Sequence, residues 1–285
     1  MSSAATPSTR GVLDPQRGRT RFALTQLVPP PDLAGWIEGF WIVRWDLRDE
    51  PAYVSETLPH PSVNVVIDPT GTRAWGVWTR RFKRRLSGAG VGVATRFRPG
   101  GFHAVLGRPV CELTDRTVPL RRLLGDDAEA WAADVLALDD ADVAGQIALV
   151  EGFWRERLGG AGGVPEPERQ VAAIRAMLDG ELASPSASVE EMARRFGYSV
   201  RSLQRLFRTY VGVSPRWVMQ RYRLHEAAER IAHGQAPDLA ALAADLGYAD
   251  QAHFSNEFRA YVGRSPAAYA AACANAAAAL RGEAG

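Results

Sequence analysis

The chain has 285 residues, 46% of them hydrophobic and 23% charged, which is the balance of a globular protein long enough for two domains. No apolar run approaches the about 20 residues of a membrane span. Two cysteines far apart, Cys111 and Cys273, give no disulfide framework, so the composition points to a reducing cytoplasm, with no membrane partner.

In chain order, residues 1–20 carry charges with no apolar core after them, so they read as a disordered leader rather than a signal peptide. Residues 21–110 read as a β-rich domain. The stretches "RFALTQL", "GFWIVRW", "YVSETL", "VNVVID", "AWGVWTRRF" and "VGVATRF" are short, rich in Val, Trp, Phe and Thr, and separated in several places by Gly and Pro. Strands of this length and spacing predict a sandwich or small barrel. Residues 111–158 read as helices and are acidic: Leu123 to Trp154 holds eight acids and no Lys or Arg. Val143, Ile147, Val150 and Trp154 line one face of the last of these helices. That stripe is either a dimerisation surface or part of the domain's own core.

"GGAGGVPEP" (159–167) has the composition of a linker. A helix follows, with Val171, Ile174, Leu178 and Leu182 in line, and "SPSAS" breaks it. Then one unit occurs twice. In "SVEEMARRFGYSVRSLQRLFRTYVGVSP", Ser188 caps a helix with Glu191 three residues on, Gly197 ends it, and Ser199 caps a second helix. Leu203, Leu206, Phe207 and Tyr210 face inward by their spacing. In "DLAALAADLGYADQAHFSNEFRAYVGRSP", Asp238 and Asp250 are the caps, Gly247 is the turn, and Phe254, Phe258 and Tyr261 face inward. Gly197 maps onto Gly247 at an offset of 50, and Phe207 to Pro215 map onto Phe258 to Pro266 at 51, so the second copy has one extra residue in its turn. Each is a helix-turn-helix. Residues 215–233 join them as one helix of roughly 28 Å. Successive major-groove faces of B-DNA lie about 34 Å apart, so such a rod suits two probes in neighbouring grooves. The tail, 271–285, is alanine-rich and reads as a helix fraying into disorder.

Charge separates the copies. Met192 to His225 holds eight arginines and no acid, whereas residues 238–270 hold four acids against Arg259 and Arg264. So dense a basic block repels itself unless a polyanion relieves it.

Residues 168–270, by these paired motifs and the joining helix, resemble the double helix-turn-helix DNA-binding domain of AraC-family transcription regulators. "LTDRTVPLRRLLGDDA", with "VGVATRFRPGGF" before it, is similar to members whose sensor domain has no well-known ligand. The resemblance implies an α+β protein: a cupin-like or small-barrel N-terminal domain, then an all-α DNA-binding domain. It implies double-stranded DNA as partner, a homodimer, a small-molecule effector, contact with RNA polymerase, and no cofactor.

On the first recognition helix the inward set leaves Arg201, Ser202, Gln204, Arg205 and Arg208 for DNA. Arg reads guanine and Gln reads adenine in two-point fashion, so Arg201, Gln204 and Arg205 are the expected base readers; Arg208 is expected on phosphate. On the second, Gln251, Ala252, His253, Ser255, Asn256 and Arg259 are exposed by the same spacing. With fewer cations, this copy gains less from phosphate neutralisation. In the front half, the aromatic residues, with Trp41, His60, Asn64, Trp78, Arg96 and His103 as candidates, would supply the apolar walls and polar fixes of a ligand pocket. No H-x-H, H-E-x-x-H or C-x-x-C spacing occurs, so no catalytic or metal-binding constellation is expected. An N-terminal enzyme fused to a DNA-binding tail, and a ligand-independent regulator, are the competing readings.

Overall fold

The computed structural model describes residues 18, 20–159, 168–183, 188–236 and 238–282. The leader (1–20) and the Gly/Pro stretch (159–167) lie almost wholly outside the described residues. The strands are β1 (Ala23–Leu27), β2 (Ile37–Leu47), β3 (Tyr53–Thr57), β4 (Asn64–Asp68), β5 (Gly71–Trp75), β6 (Phe82–Leu86), β7 (Gly88–Phe97) and β8 (Thr117–Pro119). The helices are α1 (His103–Leu106), α2 (Arg121–Leu124), α3 (Asp127–Ala137), α4 (Val143–Gly159), α5 (Arg169–Ala183), α6 (Val189–Arg195), α7 (Val200–Tyr210), α8 (Pro215–Ala232), α9 (Leu239–Asp245), α10 (Gln251–Val262) and α11 (Pro266–Gly282). The fold is thus an N-terminal β-sheet domain followed by a helical domain with two helix-turn-helix units.

Six strands form one sheet in the order β1-β2-β7-β4-β5-β8, and β3 pairs with β6 as a separate ribbon. All pairs are antiparallel. Side chains alternate across the sheet. Phe40, Ile42, Val65, Ile67, Val93 and Phe97 share one core with Trp131 and Val135 of α3 and Ile147, Val150 and Trp154 of α4. The Trp154 indole N–H donates to Thr95 Oγ1 at 2.7 Å, fixing α4 on the sheet. The apolar stripe of α4 is therefore spent inside its own domain, and Trp154 is fully buried.

The stretch "AWGVWTRRF", expected as one strand, is divided between β5 and β6. A Cβ on Gly76 would sit 1.8 Å from the carbonyl oxygen of Leu113. Only glycine allows that backbone crossing, and there the chain leaves the sheet for the ribbon.

The helical half follows its caps. Ser188, Ser199 and Ser214 accept from the amides of Glu191, Ser202 and Trp217. In the second unit Asp238 accepts from Ala240 and Ala241, Asp250 from His253, and Ser265 from Ala268. The two turns are closed alike. Gly197 and Gly247 both have φ 73°, and Tyr198 N–H donates to Ala193 at 2.8 Å as Tyr248 N–H does to Ala243 at 2.9 Å. The joining helix α8 serves both cores: Val218 and Met219 pack with α5–α7, and Leu224, Ala227, Ala228 and Ile231 pack with α9–α11.

Two residues of the β-rich domain complete these cores. Leu58, after β3, is fully buried among Leu224, Phe254 and Phe258 of the second unit. Val77, after β5, is 1% exposed among Ile174, Met192 and Leu203 of the first. Emptying a buried leucine site costs about 2–5 kcal/mol. Leu58→Ala is expected to lower unfolding stability in urea by that order, and Val54→Ala, at a side chain 45% exposed, by less than about 0.5 kcal/mol. Equal small losses would show that Leu58 is not part of that core.

Candidate nucleic-acid interface and N-terminal cavity

On α7 the inward residues Leu203, Leu206 and Phe207 are buried. Arg201, Gln204, Arg205 and Arg208 are exposed on the other face and Ser202 is half-buried, its hydroxyl turned back to the carbonyl of Ser199 at 2.9 Å. Arg201, Arg205 and Arg208 pair with no carboxylate among the described residues. Ser202 is thus engaged in the cap, while three guanidinium groups and one carboxamide stand free on a single helical face.

On α10, Phe254, Phe258 and Val262 are buried. Gln251, Ala252, His253, Asn256 and Arg259 are exposed and Ser255 is half-buried. The acids around this helix have internal duties. Asp238 and Asp250 are the caps just described, and Asp245 pairs with Arg230 at 3.0 Å. Glu257 accepts from the Tyr248 hydroxyl at 3.0 Å and from Gln220 Nε2 at 3.4 Å. Burial, with the Glu257 carboxylate beside it, pushes the Tyr248 phenol well above its ordinary pKa.

One member of the basic block is not on the surface. Arg221 of α8 is 1% exposed, with its guanidinium 4.5 Å from the ring centres of both Trp217 and Tyr261. It donates to the carbonyl of Thr79 at 3.1 Å, tying α8 to the segment between β5 and β6. Burial brings its pKa down to about 10. The two cation–π contacts offset part of the solvation that it has lost, while its Nε and Nη1 have no acceptor among the described residues. Arg223, its neighbour, lies over the Tyr248 ring at 5.9 Å.

In the N-terminal domain the face of the sheet turned away from α3 and α4 and the β3–β6 ribbon line a half-open cavity of about 230 Å³. Trp41, His60, Asn64, Trp78 and Arg96 line it. His103 does not; its ring stacks on Tyr210 of α7 at 4.1 Å, and burial holds its pKa below the usual histidine value. Trp45, Trp75, Phe22 and Phe82 complete the aromatic wall, and the Asp68–Arg84 ion pair, 2.6 Å, crosses from β4 to β6. The signal for these additional residues is the strand alternation: 41, 43 and 45 on β2, and 64, 66 and 68 on β4, share the cavity face. His60 stacks at 4.0 Å on His225 of α8, whose Nε2 lies 3.3 Å from the carbonyl oxygen of Pro59. Among the described residues no group of three or more His, Cys, Asp or Glu could hold a metal ion, and no helix is long and apolar enough to cross a membrane.

Comparison with known proteins bears on both halves. Residues 192–272 match the helix-turn-helix domain family, and residues 25–119 match a domain of unknown function, DUF6597. The transcriptional activator RhaS of Escherichia fergusonii is 35% identical over 81 residues, 28% of this chain and 29% of RhaS. The transcriptional activator AarP of Providencia stuartii is 32% identical over 101 residues, 35% of this chain and 72% of AarP. The solved structure of ToxT from Vibrio cholerae O395 aligns over 89% of this chain and 98% of its own, at 12% identity and a TM-score of 0.37. With two capped helix-turn-helix units on one shared helix, and a relative matched over most of its length, the chain belongs to the AraC family of DNA-binding transcription regulators.

Proposed function

We propose that this regulator acts in the cytoplasm, reads a specific operator with both helix-turn-helix units in successive major grooves, and senses a small molecule through its N-terminal domain. In this reading residues 168–270 are the DNA-binding domain and residues 21–110, with the helices up to 158 packed on them, are the sensor. The observation that carries the DNA reading is the unpaired set Arg201, Gln204 and Arg205 on the N-terminal part of α7. Arg208, a turn further on, holds phosphate, and α10 adds reading through Gln251, His253 and Asn256 with little backbone neutralisation.

Sensing is favoured over a ligand-independent regulator by one arrangement. The two segments that line the cavity, Ser55–Ser62 and Trp75–Phe82, are the ones that carry Leu58 and Val77 into the cores of the two DNA-binding units. A molecule that pushes on these walls changes how well both residues seat. The seating sets how α7 and α10 are held relative to one another, which supplies the differential contact that a ligand-driven shift needs.

Footprinting of the full chain on genomic DNA, with and without cell extract, tests the whole reading, since it yields the site, its half-site spacing and any effector dependence. Arg205→Ala is expected to lose about 1–3 kcal/mol of discrimination at one base pair. Arg208→Ala is expected to weaken binding to all sequences alike and to lower the salt slope by about 1. Titrations on cognate and scrambled duplexes at several salt concentrations check this, and equal effects of the two would refute the division of roles. Inserting about 5 bp between the half-sites, half a helical turn, is expected to reduce binding to that of one unit. Unchanged affinity on the lengthened site would mean that the units do not bind as a rigid pair.

A further inference from the structure

The polar groups around the cavity are not balanced. Trp41, Trp75 and Trp78 each have an indole N–H shielded from solvent with no acceptor among the described residues. Trp45 differs, because its N–H already donates to the Ser87 carbonyl at 3.2 Å. A shielded donor left unmade costs about 1–3 kcal/mol, so three around one cavity are a standing penalty on the empty domain. Arg96, on β7, pairs with no carboxylate among the described residues. The one carboxylate in the lining, Asp68, is committed: it accepts from Arg84 at 2.6 Å and from the Thr70 amide at 2.7 Å. The lining therefore has the positive charge of Arg96 to give, and no free carboxylate to receive a cation.

An aromatic cage can also bind a quaternary ammonium. Here that use is closed off, since Arg84 already lies over the Trp75 ring at 5.4 Å. A second cation would meet Arg96, whose charge no carboxylate among the described residues offsets. Shape narrows the ligand further. Six aromatic rings (Phe22, Trp41, Trp45, Trp75, Trp78 and Phe82) form the walls. The volume exceeds the about 150 Å³ that suffices for benzene in an apolar protein cavity. The floor is kept open by Gly92 of β7, where an added Cβ would meet only the Ile67 carbonyl oxygen, at 3.9 Å.

We infer that the cavity binds a flat aromatic molecule carrying a negative charge, with its rings among the tryptophans and its anionic end toward Arg96. The inference rests on the reading of the N-terminal domain as a sensor and names the chemistry sensed. The tryptophan and phenylalanine walls bury the rings, and Arg96 meets the charge.

Three probes with one apolar body and different charge test it on the full chain by calorimetry: naphthalene-2-sulfonate, naphthalene-2-sulfonamide and 2-naphthylmethylammonium. The sulfonate is expected to bind saturably and at least about tenfold more tightly than the ammonium, with the neutral sulfonamide between them. Arg96→Met is expected to weaken the sulfonate by about tenfold and the sulfonamide by no more than about twofold. Gly92→Leu, which fills the floor, is expected to abolish both. If Gly92→Leu does not fold, Trp41→Ala, which removes one aromatic wall, is expected to weaken the sulfonamide and the sulfonate together. Preference for the ammonium, equal affinity for all three, no saturable binding, or indifference to Arg96→Met would overturn the inference. A DNA titration with the sulfonate bound separates the two claims. Binding without any change in operator affinity upholds the ligand class and removes the sensor reading, whereas preference for the ammonium with a changed operator affinity does the reverse.

Discussion

Leu58 and Val77 are the constraint on which the rest of the molecule depends. A helix-turn-helix unit of three short helices buries little surface by itself, and its neighbours must finish its core. Here the neighbour is the β-rich domain, which supplies one aliphatic side chain to each unit from two segments only about twenty residues apart. Because α8 contributes one half of its length to each core, the two units and the β-rich domain close into a loop of contacts rather than a string. Arg221, held between Trp217 and Tyr261 and bonded to Thr79, sits at the junction where all three meet. A buried guanidinium is a costly way to fill space, and an apolar residue of similar size commonly serves stability as well. What it adds is geometry: two ring faces and a carbonyl oxygen must all be in place for the cation to be tolerated, so few alternative dockings of α8 are.

The difference in charge between the two units has a local origin. The first unit caps its helices with Ser188, Ser199 and Ser214, and the second with Asp238, Asp250 and Ser265. Aspartate is as good a cap as serine and interacts better with the positive end of the helix dipole. Its cost falls on DNA binding, where each added negative charge offsets a phosphate contact. With Asp245 engaged by Arg230 and Glu257 buttressing Tyr248, all four acids of the second unit are accounted for by its internal architecture. Its weak basicity thus follows from how it is held together. On the proposed reading, the first unit supplies nonspecific affinity and the second contributes only where its bases match.

What the sequence made legible was what short-range chemistry decides. Caps, turn glycines and the three-and-four spacing of Leu203, Leu206 and Phe207 are each settled within a few residues, and they placed α6–α10 and their exposed faces. The strands were readable for the same reason, except where Gly76 interrupts one of them for the sake of Leu113, a residue far along the chain. What the sequence left open or missed depends on contacts between residues far apart in the chain. Arg221 counted as part of a basic surface until Thr79, 142 residues away, was seen to bind it. His103 counted as a cavity residue and instead meets Tyr210. The stripe of α4 had two uses open to it, and only the position of the sheet decides that Trp154 packs inward. No periodicity marks Leu58 or Val77, since each is a single apolar residue in an irregular segment whose partner is a different domain.

The cavity departs from local rules in a way that packing alone does not account for. If the β-rich domain served only to hold the two DNA-binding units in place, its simplest interior would be closed and filled, as the opposite face of the same sheet is around Phe40, Ile42, Val65 and Trp154. Instead, the face turned toward the docking segments carries glycine where a side chain would fit, three tryptophans whose N–H groups have no acceptor among the described residues, and an arginine that pairs with no carboxylate among them. An occupant with rings and a negative charge would fill the space beside the glycine and give the arginine a partner. An unfavourable interior on one face, beside a well-packed one on the other, is what a domain needs if its stability, and through Leu58 and Val77 the seating of two DNA-binding units, is to depend on a molecule from outside.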